Sequence, residues 1–364
     1  YMHSDIGGFT GGSKHPELFA RWMQLGAFSP VMRAHGTGIP SEPIYYPEET
    51  QDIVRKAIQM RYDFLPYNYS LAWKYSKKGI PLVRPMNFYQ PESAALSGIS
   101  DQYFWGKDLI VAPVLYENTT SRMVSLPEGL WAGYDSGKVF EGNTTISVDA
   151  PQNKLPLFIR EGGFIVQSEE NLPHTKAYNS DSIRIRHLLP SSGISEDRQW
   201  YHDDGKTADN YKENRYNIIT LSGSTEGKVS TIKLQKAVDN ITSPERHVEF
   251  MLYGLDEQPG NVTLNGYNVP IYTSGDSYKK NKPAAYWDKP FLYTHLRWKD
   301  TLATLKIDRE EPATSVDRQT TGKLKIQASP NPFIRQTHIQ AYIKQDGSYT
   351  ITLYRVDGKI VGKK

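Results

Sequence analysis

Asp5-Ile6-Gly7-Gly8-Phe9 and, about one strand-helix unit later, Met32-Arg33-Ala34-His35-Gly36 are the stretches on which the reading of the fold turns. In the first, a carboxylate emerges just before paired glycines whose backbone can turn sharply, and the aromatic after them can be aimed into a pocket. On spacing alone an Asx-type turn is the simpler reading. The second stretch closes the short apolar run Phe28-Ser29-Pro30-Val31-Met32, which has the length of a strand. Between the two, the Gly-rich residues 7–12 read as a loop, and Pro16 followed by Glu17-Leu18-Phe19-Ala20-Arg21-Trp22-Met23 reads as a helix with proline in its first turn. An Arg and a His at a strand's C-terminal end, beside an Asp on the neighbouring strand end, stand where parallel barrels build their sites. A lone His there would more often be structural, and it is the pairing with Asp5 that singles it out.

Further along, Glu48 and Glu49 sit where acidic residues favour a helix N-terminus. The helix after them carries Ile53, Val54, Ala57, Ile58, Tyr62, Leu65 and Tyr69 on one face, and Pro66 is expected to kink or divide it. Residues 1–78 therefore alternate strand and helix, the pattern that builds a parallel sheet or barrel. From Gly79-Ile80-Pro81 onward the texture changes to short β-like runs. These include Leu109-Ile110-Val111-Ala112 and Phe158-Ile159-Arg160, and later Val229-Ser230-Thr231-Ile232-Lys233-Leu234 and Val248-Glu249-Phe250-Met251-Leu252-Tyr253. Alternation of apolar and polar residues in several of them predicts antiparallel sheets with one wet face, arranged as β-sandwich modules. A polar stretch at 309–322 has the character of a linker. A small β-like tail comes next, with a hairpin turn expected at Asp357-Gly358.

Composition narrows the function. The 43 basic and 40 acidic residues are spread along the 364-residue chain, so there is no broad basic field and nucleic acid is not an expected partner. The chain has no Cys, which excludes disulfides, thiolate metal sites and a Cys nucleophile within it. No apolar run approaches the ~20 residues that span a bilayer, so no transmembrane segment is expected. Aromatic residues make up 12%, with 24 Tyr; such side chains pack on sugar rings and bond hydroxyls, and they also fill ordinary β-rich cores. Asp203-Asp204-Gly205 has incomplete spacing for a calcium loop and reads as a tight turn. No metal or cofactor is expected.

Several stretches together resemble one family. His3-Ser4-Asp5-Ile6-Gly7-Gly8-Phe9, Pro16 through Pro30, Met32-Arg33-Ala34-His35-Gly36, Leu65-Pro66-Tyr67-Asn68-Tyr69, Pro81-Leu82-Val83-Arg84-Pro85 and Phe104-Trp105-Gly106-Lys107-Asp108 through Val114 resemble, in order, the end of the catalytic domain of glycoside hydrolase family 31 and the region C-terminal to that domain. The resemblance implies a multidomain α/β plus β architecture. Residues 1–78 would be the last two units of a (β/α)8 TIM barrel, 79–168 a proximal β-sandwich domain, 169–308 a distal β domain, 309–322 a linker and 323–364 a small C-terminal β domain. It implies retaining hydrolysis of α-glycosidic bonds, of terminal α-glucosides of oligosaccharides foremost, with glucosyl transfer or α-xylosidase activity as the alternatives within the family. A non-catalytic surface carbohydrate-binding protein is the alternative of a different class.

By the same resemblance His35 bonds hydroxyls of the sugar in the cleaved subsite, Arg33 and Asp5 form a charged network beneath it, and Phe9 packs against the sugar or the next subsite. Residues 37–46 are expected to loop over the site. No catalytic residue is expected in this chain, which reads as a fragment, because the family's two catalytic Asp residues precede the motif at Asp5. Ala328-Ser329-Pro330-Asn331-Pro332-Phe333, Thr337-His338-Ile339 and the run from Tyr349 to Val361 resemble the C-terminal sorting domain of the Bacteroidetes type IX secretion system. That implies the secretion machinery as a partner, and export across the outer membrane to the cell surface or medium.

Overall fold

The computed structural model describes residues 3–11, 14–38, 41–169, 172–299 and 301–310, and the backbone of four strands, Lys325–Ser329, His338–Tyr342, Thr352–Tyr354 and Ile360–Lys363. The expected linker lies outside these residues from 311 onward, as does the expected turn at Asp357-Gly358.

The first 78 residues form β1 (Ile6–Phe9), α1 (Pro16–Ala27), β2 (Ala34–Gly36), α2 (Glu48–Asp63) and α3 (Leu65–Lys78). β1 and β2 pair in parallel, as adjacent barrel strands do. Two local expectations are corrected. Gly7 and Gly8 belong to β1 rather than to a loop, at φ of 102° and 94°, values open to glycine and strained for other residues. The run Phe28–Met32 is a turn, and the strand begins only at Ala34. Its carbonyls face a side chain instead of a neighbouring strand: Arg61 on α2 donates to the carbonyls of Ala27, Ser29 and Pro30, and Tyr103 donates to that of Phe28. Phe28 itself is buried edge-on against Phe64 and Trp105.

The helix expected from Glu48 is divided at Phe64, with Pro66 in the first turn of α3 where its missing N–H costs nothing. Ile53, Val54 and Ala57 are buried as the periodicity requires, but Tyr69 is 45% exposed and lies off that face. Its hydroxyl reaches across to Asp203, 2.7 Å away.

Six antiparallel strands in the order Val83–Arg84, Tyr103–Trp105, Leu109–Val111, Leu157–Arg160, Leu130–Gly133, Val139–Glu141 form the proximal sheet. One face packs on the strand pair Ser121–Leu126 and Thr144–Asp149 through Phe104, Ile110, Val124, Leu126 and Trp131. Beyond it two larger sheets face each other across a core that includes Ile185, Phe250 and Leu296 from one and Ile219, Leu234 and Leu305 from the other. The strand Phe164–Ser168, which ends at the expected boundary of 168, pairs with Ser182–Leu188 and so joins the first of these sheets.

The expectation of antiparallel sheets with one wet face holds for Val229–Asp239, whose burial alternates. It fails for Arg246–Tyr253, which pairs in parallel with Ser182–Leu188 and is buried at nearly every position. The reason is a third layer. Met251 and Tyr253 on the outer face of that sheet share one apolar cluster with Phe64, Tyr67 and Leu71 of the helical segment and with Trp105, Leu109 and Val111 of the proximal sheet. No helix among the described residues is long and apolar enough to cross a membrane.

At this three-way contact, burial raises the pKa of Asp63, the last residue of α2, to about 6, although Arg184 and Arg186 on the facing strand pull it down. A carboxyl whose folded-state pKa is raised contributes stability that is fully present below its ordinary value of 3.8 and is lost as pH rises through about 6. Asp63→Asn, which copies the protonated form, is therefore expected to remove one component of the fall in melting temperature between pH 4 and pH 7. Identical pH profiles of thermal denaturation for the variant and the parent would show that Asp63 is not the group responsible.

Candidate functional site

The parallel pairing of β1 with β2 sets Phe9 opposite Gly36, so both strands present their C-terminal ends on one side. Four groups could act there, and the structure treats them differently. Phe9 and His35 come together, ring centroids 5.2 Å apart and tilted by 44°. Phe9 is 39% exposed and His35 is partly buried, so an apolar face and a ring that can donate and accept hydrogen bonds stand side by side and open to solvent. Asp5 lies just before β1, and its near neighbour is His3, with Nε2 3.7 Å from Oδ1. Arg33 is exposed, and among the described residues its side chain makes no ion pair with Asp5. Its backbone does the connecting: the Arg33 carbonyl accepts from the Ile6 amide at 3.1 Å.

The backbone that aims Phe9 is unusual. After Gly7 and Gly8 at positive φ, Phe9 itself sits at φ 45°, a left-handed conformation that is strained for a bulky side chain. The strand bond from the Thr37 amide to the Phe9 carbonyl, 2.7 Å, holds it. A Cβ on Gly7 would meet the buried Phe19 ring at 3.4 Å, an ordinary contact, so it is the positive φ and not the space that calls for glycine there. On the other side of that contact, Trp22 of α1 donates its Nε1–H to the Ser4 hydroxyl at 2.9 Å.

Two neighbours of the rim were not singled out from the sequence, His3 and Trp22. For His3 a signal existed, since it stands two residues before Asp5 and that is the period at which an extended chain returns to the same side. Trp22 carries only the ordinary mark of an aromatic in an amphipathic helix. Of the loop expected over the site, Pro43–Tyr45 forms a single 3-10 turn with Ile44 and Tyr45 exposed, while Ile39 and Pro40 lie outside the described residues. Among the described residues no cluster of three or more His, Asp or Glu could hold a metal ion. Asp203 and Asp204 are engaged in turn bonds instead: Asp203 accepts from the Gly205 amide, and Asp204 from the amides of Lys206 and Thr207.

A separate apolar groove of about 500 Å³ runs between α1 and residues 114–117 and reaches the backbone of Gly7 and Gly8. Phe9, Arg33 and His35 are not part of its wall. A second cavity, of about 380 Å³, lies where α3 meets the proximal sheet and the strand Arg198–His202.

Comparison with known proteins places this rim. Residues 1–71 match the TIM-barrel domain of glycosyl hydrolases family 31, and residues 79–165 match the family's C-terminal domain. An alpha-xylosidase of Saccharolobus solfataricus is 31% identical over 237 residues, which cover 64% of this chain and 32% of that protein. Alpha-glucosidase 2 of Bacillus thermoamyloliquefaciens is 31% identical over 268 residues, covering 72% of this chain and 32% of that protein. In fold, the Flavobacterium johnsoniae GH31 dextranase complexed with glucose superposes with a TM-score of 0.75 at 24% identity, over 84% of this chain and 39% of that one. The chain spans about a third of the length of these two sequence relatives. Residues 1–71 and 79–165 are thus similar, one after the other, to the TIM-barrel and C-terminal domains of glycosyl hydrolases family 31.

Proposed function

We propose that this chain is part of a retaining α-glycosidase acting on terminal α-glucosides of oligosaccharides, and that its β1–β2 rim holds the sugar at the bond to be cleaved. The observation that carries the reading is the placement of Phe9 and His35 side by side at the C-terminal ends of two parallel strands, in the part of the chain that matches the family's barrel domain. In this reading His35 bonds sugar hydroxyls and the Phe9 ring packs on the sugar's C–H face. Asp5 and Arg33 supply charge beside it, with His3 against Asp5. In retaining hydrolysis one carboxylate attacks the anomeric carbon while a second protonates the leaving oxygen, and water then opens the glycosyl-enzyme. In this reading the rim residues take neither carboxylate role and only bind and position the sugar. Interception of the same intermediate by a sugar hydroxyl would give glucosyl transfer. A second reading, α-xylosidase, is supported by the equal 31% identity of the alpha-xylosidase and alpha-glucosidase relatives.

Hydrogen bonds that tighten in the transition state contribute mainly to turnover. His35→Ala in the full-length protein is therefore expected to lower kcat on an α-glucoside by about 10²–10³-fold, with an unchanged melting temperature. Near-normal kinetics would remove His35 from the site. A matched panel of aryl α-glucoside and α-xyloside separates the two readings.

Phe9→Gly tests the other half of the rim, because its effects on fold and on binding have opposite signs. Glycine relieves the positive φ, so the melting temperature is expected to hold or rise, while KM rises as the ring is lost. A fall in stability with unchanged KM would make Phe9 a packing residue only.

We infer also that residues 323–364 direct export through the type IX system. The support is the order of motif elements together with two antiparallel pairs, Lys325–Ser329 with His338–Tyr342 and Thr352–Tyr354 with Ile360–Lys363. Deleting 323–364 is expected to leave the protein inside the outer membrane of a type IX host, and undiminished export of the truncated protein would refute the assignment.

A further inference from the structure

The cavity at the junction of α3, the proximal sheet and the strand Arg198–His202 is built differently from the rim. Its wall is rich in cations, and two of the cations there are already matched. Arg198 is bound by Asp108, Nε at 2.9 and 2.8 Å and Nη2 at 2.8 Å, and Lys107 is paired with Glu196. Lys74, Lys78 and Arg84 remain: Asp108, already bound to Arg198, also attracts Lys74 and Arg84, and the remaining carboxylate on the wall is that of the exposed Asp197.

Lys74 and Lys78 stand one helical turn apart on α3 and so project along the same side of it. Among the described residues neither makes an ion pair or a side-chain hydrogen bond. Burial pushes the Lys74 pKa down, and nearby Arg198, Arg84 and Lys78 push the same way while Asp108 opposes them. Arg84 is 4% exposed. Its Nε donates to the Pro81 carbonyl at 2.8 Å and its Nη1 to the Tyr89 hydroxyl, which leaves Nη2 without a partner among the described residues. The Nη2 of Arg84, the half-buried Lys74 and the exposed Lys78 thus offer donors on one wall from which an anion in the cleft could accept.

The same wall carries an aromatic surface. Phe88 and Tyr89 meet edge to face at 5.1 Å, and the Arg84 guanidinium lies 5.5 and 5.6 Å from their ring centroids, fixing both rings. Phe88 keeps 41% of its surface exposed. A volume of about 380 Å³ suits a single sugar unit and falls at the lower end of the range for small-molecule sites. A fixed aromatic face recognises the C–H face of a sugar, and cationic donors recognise a negative group attached to it.

We propose that this cleft binds an anionic monosaccharide unit, a sugar bearing a phosphate, sulfate or carboxylate group, at a position separate from the barrel rim. The group would sit against Lys74, Lys78 and the free Nη2 of Arg84, with the ring on Phe88. This goes beyond the proposed hydrolytic function and does not depend on it.

The test is calorimetric titration of the full-length protein, at about 0.15 M salt so that exposed charges are screened, with glucose 6-phosphate, glucose 6-sulfate, glucuronate, inorganic phosphate and glucose. At least one charged sugar is expected to bind more tightly than inorganic phosphate. Its affinity should fall by about tenfold or more in Lys74→Met/Lys78→Met, fall also in Phe88→Ala, and persist in His35→Ala. Which charged sugar binds identifies the anionic group. Equal affinity for inorganic phosphate would reduce the cleft to an ion site and overturn the sugar assignment. The proposal also fails if no charged sugar binds, if binding survives loss of both lysines, or if His35→Ala abolishes it. Should the double lysine variant not fold, Phe88→Ala decides alone, since it leaves the charges in place.

Discussion

Arg198 and Asp108 meet in a two-pronged ion pair at the point where the helical segment, the proximal sheet and the distal sandwich converge. Burial by itself would raise the Asp108 pKa, but the Arg198 charge and its hydrogen bonds overcome that and hold the carboxyl below the usual carboxylate range. The Asp108 carboxylate also accepts from the Phe164 amide, and its own carbonyl accepts from Arg160. A buried pair of this kind adds little net stability compared with apolar residues, whereas stranding one partner costs about 3–5 kcal/mol. Its force is therefore directional: any docking that misaligned the proximal sheet with the strand Arg198–His202 would leave a charge buried alone.

Around that pair the modules are tied by side chains that reach from one to the next. Arg21 on α1 donates to the carbonyls of Thr119, Ala150, Pro151 and Lys154 in the proximal domain. Tyr67 donates to the Trp105 carbonyl, and the Trp105 indole donates to Asn68. A Cβ on Gly106 would stand 2.4 Å from the Tyr67 hydroxyl, so a glycine there is a condition of the docking. Ser70 accepts from the Tyr201 amide, and Trp73 stacks on the Tyr201 ring at 5.2 Å. The helices that carry the rim on one side are thus clamped to two β modules on the other, and the rim strands are held from behind rather than by each other alone.

Much of what the motifs contain is docking information. Leu65-Pro66-Tyr67-Asn68-Tyr69 and Phe104-Trp105-Gly106-Lys107-Asp108 look, in one dimension, like two unrelated signatures. In the folded chain the first inserts its Tyr and Asn against the Trp and Gly of the second, and Tyr69 goes on to Asp203. The same holds for Asp203 and Asp204: both form the turn, and Asp203 also accepts from the hydroxyls of Tyr69 and Tyr201.

Periodicity and local chemistry were enough to foresee the strand-helix alternation of the first 78 residues, the break at Pro66 and the change to β-structure after Gly79. They were enough because helix faces, proline and glycine act within a few residues. The sequence by itself also brought Asp5, Arg33 and His35 under suspicion through their place at strand ends, and Phe9 through the family resemblance. Only the tertiary structure decided that Phe28–Met32 is a turn, since the guanidinium that binds its carbonyls comes from Arg61, about thirty residues away. It alone decided that Arg246–Tyr253 is covered on both faces, that Phe9 stands against His35 while Arg33 points into solvent, and that Lys74, Arg84 and Phe88 share one cleft. Each of these depends on contacts between segments far apart in the chain, where no local pattern records which partner will arrive.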